Sequence, residues 1–219
     1  MPAFVLYLHG PYRKGDLQFY RRLARGKVCI AVDGGMKFFL KSKLRPDIIA
    51  GDFDSFRRDP AKLFPKSKLL KFPVEKDKTD TQLAIEYAIS HRAKTVDIVQ
   101  PFLGEADHFA GNLMLLASLV GGRGNRKIGF RIINPAYEIA FLRDTHRTIA
   151  GHRGETISVV PLTETIRLTC SGTLYTARNL RVHRGETVAL RNQMSGPSAE
   201  ISVHGQAFVF HQFGRRSDT

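Results

Sequence analysis

The sequence of 219 residues contains no tryptophan and only two cysteines, Cys29 and Cys170. So few thiols exclude a disulfide-stapled fold and a cysteine-rich zinc centre. Both lie in apolar, strand-like runs. A bridge between them is conceivable, but two buried free thiols suit that context better and point to a cytoplasmic protein. Eight histidines are present, yet no H-x-H or C-x-x-C pair occurs, so metal-ligand spacing is missing. No apolar run approaches the ~18 residues that cross a bilayer. The opening MPAFVLYLHG is interrupted by His9 and then by charge, too early for a signal peptide, and reads as a first strand. Neither G-x-x-x-x-G-K-[ST] nor G-x-S-x-G occurs, which removes a Walker-type phosphate loop and a serine-hydrolase elbow. Acidic residues are the scarce charge, 20 Asp and Glu against 34 Lys and Arg, for a formal net charge of +14. The excess is spread along the chain, with no nucleic-acid motif and no aromatics interleaved with the basic residues. It predicts a basic surface suited to nucleotides and similar polyanions, with nucleic acid and membrane disfavoured as partners.

What is present is a chain with 42% hydrophobic residues, long enough for one large domain or two small ones. Up to about residue 134 it alternates apolar runs with helical patterns. AFVLYL (3–8), VCIAV (28–32), DIIAG (47–51), KLLKF (68–72), TVDIV (95–99) and IGFRII (128–133) look like parallel strands covered on both faces. Helix candidates lie between them at 16–25, 36–43, 79–93 and 108–120. Alternation of this kind predicts βαβ units in a three-layer α/β domain, residues 1–140. Beyond it no helix of ordinary length can be drawn. Short strands are expected at ETISVVPL, TIRLTC, NLRVH, ETVALRN, AEISVH and QAFVFHQ, so residues 141–219 read as a smaller all-β sandwich. HRGE occurs at both 152–155 and 183–186 and reads as shared hairpin chemistry. A boundary near 134–150 separates the halves.

Aspartates gather at predicted strand ends. Asp33 follows VCIAV, Asp52 and Asp54 follow DIIAG, Asp77 and Asp80 lie between KLLKF and the next helix, and Asp107 follows TVDIV. In an open parallel sheet these loops emerge on one edge, where ligands bind. Each has a local explanation: Thr79-x-x-Gln82 is a capping box, Asp80 suits a first helical turn, and Asp107 suits a cap. Six on one rim are harder to explain locally, because carboxylates so placed repel one another unless a cation neutralises them. Hard oxygen donors select Mg2+, which takes a few carboxylates together with phosphate oxygens and water. Lys76 and Lys78 beside Asp77 add cations for phosphate. Transfer of a phosphoryl-type group from a nucleotide is the chemistry these residues suit.

The order D-G-G (Asp33-Gly34-Gly35), P-D-x-x-x-G-D-F-D-S (46–55), D-K-T-D (77–80) and D-H-x-x-x-N (Asp107, His108, Asn112) resembles the thiamine pyrophosphokinases. The resemblance spans the first part of the chain and continues more loosely into the β part. It implies transfer of the terminal diphosphate of ATP to the hydroxyethyl oxygen of thiamine, releasing AMP. It implies Asp33, Asp52, Asp54 and Asp80 as catalytic residues, with Mg2+ as cofactor on Asp52, Asp54 and Asp80. Lys76, Asp77, Lys78, Thr79, Asp107 and Asn112 would bind nucleotide or phosphate. Tyr175 and Asn192 would bind thiamine. It further implies a homodimer with thiamine between one subunit's first domain and the other's β domain. Any of the aspartates could serve as base.

The chain also departs from the pattern. Where the family has an arginine before the D-H pair, Glu105 inverts the charge; Arg123 and Arg126 are candidates to replace it. Arg191-Asn192 stands where Ser-Asn is usual. Two alternatives therefore stay open: a diphosphokinase for another alcohol such as a pterin, and a non-catalytic sensor of thiamine or nucleotide.

Overall fold

A computed structural model describes residues 1–53, 59–101, 106–121 and 128–214. The chain divides into two compact units, Met1–Pro135 and Ala136–Thr219.

The first unit is built on β1 (Ala3–Tyr7), β2 (Val28–Val32), β3 (Ile48–Gly51), β4 (Lys68–Lys71), β5 (Thr95–Val99) and β6 (Gly129–Ile133). All pair in parallel, in the order β4-β3-β2-β1-β5-β6. The chain starts at the centre, steps outward to β4, then returns across β1 to add β5 and β6. The strand order thus reverses between β1 and β5, and a ligand crevice is expected at that switch point, beyond the carboxyl ends. The apolar runs form strands because both of their faces are covered. Val5, Tyr7, Cys29, Ala31, Ile49, Val99 and Ile133 pack in one cluster with Tyr12, Tyr20, Phe38 and Phe39. The alternate residues Phe4, Leu6, Ile30, Ile48, Val96 and Ile98 are buried as well. Helix α4 (Asp80–Ser90) lies against β1, β2 and β3 and buries Ala84, Ile85 and Ala88. The other helices are α1 (Leu17–Ala24), α2 (Met36–Ser42), α5 (Ala106–Gly121) and the short α3 (Pro60–Leu63). The last was not read from the sequence; Asp59 caps it by accepting from the Ala61 N–H, with Pro60 in its first turn.

In the second unit, β7 (Tyr137–Ala150) and β12 (Ser198–Gln212) form one long antiparallel ribbon. The sequence pattern over 137–150 predicts a domain boundary, whereas these residues form a long strand. AEISVH and QAFVFHQ, expected as two strands, are a single strand with an irregularity between Val203 and Gln206. At that bend Gly205 has φ +105°, and its N–H donates to Asp144 Oδ1 at 2.8 Å. On either side of the bend β12 takes different partners, β9 (Thr165–Ser171) over 200–204 and β8 (Thr156–Pro161) over 207–212. β10 (Ala177–His183) extends the first side, and the two-residue β11 (Asn192–Gln193) the second. Ile157 and Val159, Ile166 and Leu168, Val182, Ile201 and Val209 share one core, so the two halves close over it as a sandwich.

ETVALRN is not a strand as expected: it turns, and only its end pairs, with β8. The two HRGE stretches do form the same turn. In each, the Glu N–H donates to the His carbonyl, the His N–H donates to the Glu carboxylate, and the glycine takes positive φ, +90° at Gly154 and +95° at Gly185. They are corners rather than hairpins, because the strands flanking each are not paired to one another. Cys29 and Cys170 are both buried and unbridged.

Candidate active site

The D-G-G stretch closes a 3-10 turn directly after β2. Its glycines are needed for close approach. A Cβ on Gly35 would stand 1.7 Å from the Tyr7 carbonyl oxygen, and one on Gly34 2.1 Å from His9 Nδ1. Asp33 itself sits at φ +45°, a backbone region in which Asp and Asn are the favoured non-glycine residues. Its carboxylate reaches across to the end of β3, where a Cβ on Gly51 would lie 2.0 Å from Asp33 Oδ1. The glycine ahead of Asp52 is therefore the floor beneath the Asp33 carboxylate.

Lys76 draws this group together. Its Nζ lies 3.4 Å from Asp52 Oδ2 and 3.1 Å from Asp80 Oδ1, and it donates to the Pro73 carbonyl at 2.9 Å. These side chains are largely withdrawn from solvent, at 14% exposure for Lys76, 19% for Asp52 and 13% for Asp80. Burial, then the charges of Asp80 and Asp52, push the Asp33 carboxyl from 3.8 to about 7, while Lys76 pulls the other way. Burial alone would depress the Lys76 ammonium, but the contacts of Asp80 and Asp52 outweigh it and hold it above the ordinary lysine range. The Lys76–Asp80 contact is an ion pair and falls short of hydrogen-bond geometry. Asp33 Oδ1 and Asp80 Oδ1 are accordingly buried without a hydrogen-bond partner.

Orphaned carboxylate oxygens around one ammonium are what a hard cation would satisfy. Among the described residues no three ligand side chains enclose a metal on their own.

The remaining expected residues divide into several places. Asp54, Glu105, Arg123 and Arg126 lie outside the described residues. Thr79 is the N-cap of α4, its hydroxyl accepting from the Gln82 N–H at 3.2 Å. Lys78 pairs with Glu86 at 2.9 Å, on α4 rather than among the rim carboxylates, and Asp77 is exposed. Asp107, in the first turn of α5, is exposed and accepts from the His108 N–H at 2.8 Å. Asn112 donates from Nδ2 to Gln100 Oε1 at 3.4 Å, at the end of β5. In the second unit Tyr175 and Asn192 come together: Asn192 Oδ1 accepts from the Tyr175 N–H at 3.1 Å, and its Nδ2 donates to the Tyr175 carbonyl at 2.6 Å. Tyr175 is 77% exposed.

Sequence reasoning passed over His9, Gln100 and Asn134, which follow β1, β5 and β6. The strand-end rule that selected the aspartates applies equally to them. Asn134 donates from Nδ2 to the Gln100 carbonyl at 3.2 Å, and both residues are buried. His9 Nε2 stands 3.5 Å from Lys37 Nζ.

A family profile described as "Thiamin pyrophosphokinase, catalytic domain" matches residues 19–127. The chain is 31% identical over 169 residues to a thiamine pyrophosphokinase of Bacillus subtilis, spanning 75% of this chain and 77% of that one. Its fold is similar to the crystal structure of thiamine pyrophosphokinase from Bacillus subtilis, with TM-score 0.82 and 25% identity over 97% of this chain and 99% of the other. It is also similar to that of thiamin pyrophosphokinase from Geobacillus thermodenitrificans, with TM-score 0.79 and 25% identity over the whole of both chains.

Proposed function

This chain belongs to the thiamine pyrophosphokinase family, and on that premise we propose that it moves the terminal diphosphate of ATP onto the hydroxyl of thiamine, giving thiamine diphosphate and AMP. The observation that carries the reading is the packing of Asp33, Asp52 and Asp80 about Lys76 at the ends of neighbouring parallel strands. Asp52 and Asp80, joined by Asp54, would hold Mg2+. Bound there, the ion supplies charge neutralisation for the triphosphate. Lys76 is already positioned among the carboxylates as a second positive group and would turn to a phosphate oxygen. Burial and the charges of Asp80 and Asp52 raise the Asp33 carboxyl to about 7, which eases the repulsion among the acids until a cation arrives. The exposed Tyr175 ring, its backbone fixed by Asn192, offers a face for the thiamine rings. In this reading the protein works in the cytoplasm as a homodimer, with thiamine and ATP as its small-molecule partners.

The test is AMP release from ATP and Mg2+ with thiamine, without it, and with a pterin alcohol in its place. Release that requires thiamine supports the proposal. Release driven by the pterin alone, or tight binding of thiamine with no AMP formed, replaces it by one of the two alternatives.

A further inference from the structure

The second unit contains no lysine: none follows Lys127, and its long-chain cations are all arginines. Two of them, Arg167 on β9 and Arg181 on β10, are direct partners across their strands. On the other side of Arg167 its direct partner is His204 of β12. The three form one row across three strands, with neighbouring Cα atoms ~5 Å apart. They face away from the core, because the alternate residues Ile166, Leu168, Val182 and Val203 fill it. All three are exposed. Like charges directly opposite one another destabilise a sheet, so the Arg167–Arg181 pair carries a cost. Among the described residues none of the three makes an ion pair to offset it. Acids near the row in the chain serve other donors. Asp144 accepts from the Gly205 N–H at 2.8 Å, Glu186 from the His183 N–H at 2.8 Å, and Glu200 from the Thr148 hydroxyl at 3.1 Å.

From this arrangement we infer that the outer face of β9, β10 and β12 docks an acidic segment of a partner protein, with Arg167 and Arg181 gripping its Asp and Glu carboxylates. Charge complementarity carries the inference: an acidic chain laid over the row removes a repulsion that the fold leaves standing. A guanidinium offers a planar fork that matches a carboxylate, which an ammonium does not. Thr169 and Ser202, partners in the adjacent outward row, add hydroxyls for the backbone of the segment. An extended chain can span the three strands, as one small anion cannot. The exposed residues of these strands beside the row include no phenylalanine, tyrosine or tryptophan on which bases could stack, so single-stranded nucleic acid fits this face less well. The inference goes beyond the transfer reaction and does not depend on it.

The experiment follows fluorescently labelled octaglutamate by anisotropy at low ionic strength, with the full chain and its variants. The parent should bind, and Arg167→Glu and Arg181→Glu should each weaken binding by about tenfold or more. Arg153→Glu makes the same charge change at an exposed corner just beyond the Ala150–Ser198 end of the ribbon, ~20 Å along β12 from His204, and should bind as the parent. Arg167→Glu also sets a carboxylate opposite Arg181, so it should melt no lower than the parent, which separates lost binding from lost folding. Arg167→Gln and Arg181→Gln repeat the binding test without a new charge and should also bind more weakly than the parent. No binding by the parent, or a loss in Arg153→Glu equal to that in the row variants, overturns the inference. Octathymidylate held more tightly than octaglutamate, and released by the same row variants, overturns it too, because the partner would then be a phosphodiester chain.

Discussion

Replacing Asp33 by asparagine should stabilise the ligand-free protein above neutral pH while abolishing turnover. The substitution is nearly isosteric, and asparagine tolerates the φ of +45° found here, so the backbone has no reason to move. The carboxyl is raised from 3.8 to about 7 by burial and by Asp80 and Asp52. A folded value above the unfolded one means that the native state holds the proton more tightly. Stability from this group is therefore complete below pH ~4, declines as pH rises, and is gone once pH exceeds the folded value near 7. At 1.36 kcal/mol per pH unit, the decline amounts to at most ~4 kcal/mol. Solvent still reaches the group and screens it, so ~2 kcal/mol is the working figure. Asparagine cannot ionise and escapes that loss. For a chain of this length the variant should melt ~4–8 °C higher than the parent at pH 8.5 and within a degree or two of it at pH 5. Urea unfolding and differential scanning calorimetry at the two pH values read the difference directly. An asparagine variant no more stable than the parent at pH 8.5 would refute the claim that the rim is electrostatically strained without its ligands.

Three further outcomes follow from the same geometry. Lys76→Met leaves Asp52 and Asp80 without their shared cation; AMP release should fall ~100-fold or more, and an unchanged kcat/KM would remove Lys76 from the site. Asn192→Ala deletes both hydrogen bonds to the Tyr175 backbone and should raise KM for thiamine several-fold with KM for ATP unchanged, read from initial rates, at a stability cost of ~1 kcal/mol. Asp97 is buried between Arg131 and Lys27. Burial opposes its charge, but Arg131 and then Lys27 outweigh that and hold it below the ordinary carboxylate range. Its contribution is present above pH ~4 and lost as pH falls through the depressed value, and Asp97→Asn should cost ~3 kcal/mol in urea unfolding at pH 7 without changing KM for either substrate.

The sequence by itself determined the layering of the first unit. Near-continuous apolar runs such as VCIAV and TVDIV are stable only as strands covered on both faces, and the helical patterns between them leave little choice but a parallel sheet. It also determined that acids would end the strands, since D-G-G and G-D-F-D-S are legible without coordinates. Tertiary structure alone decided which of those acids meet. Asp33, Asp52 and Asp80 converge because Gly51 leaves room beneath Asp33 and because Lys76 folds back from its connection to reach both other carboxylates. The tertiary structure also showed that Thr79, Lys78 and Asp107 make helix-end and helix-surface contacts, which spacing along the chain only partly foretells. The strand over 137–150 escaped notice for a related reason. Its buried part, 138–142, loses the period of a half-exposed strand, and the exposed stretch after it offers no apolar face. Its identity as a strand comes from β12, which pairs with it on both sides of the Gly205 bend. Local patterns report what a segment can bury; which charges share a site depends on distances between segments far apart in the chain, and those exist only once the sheet has formed.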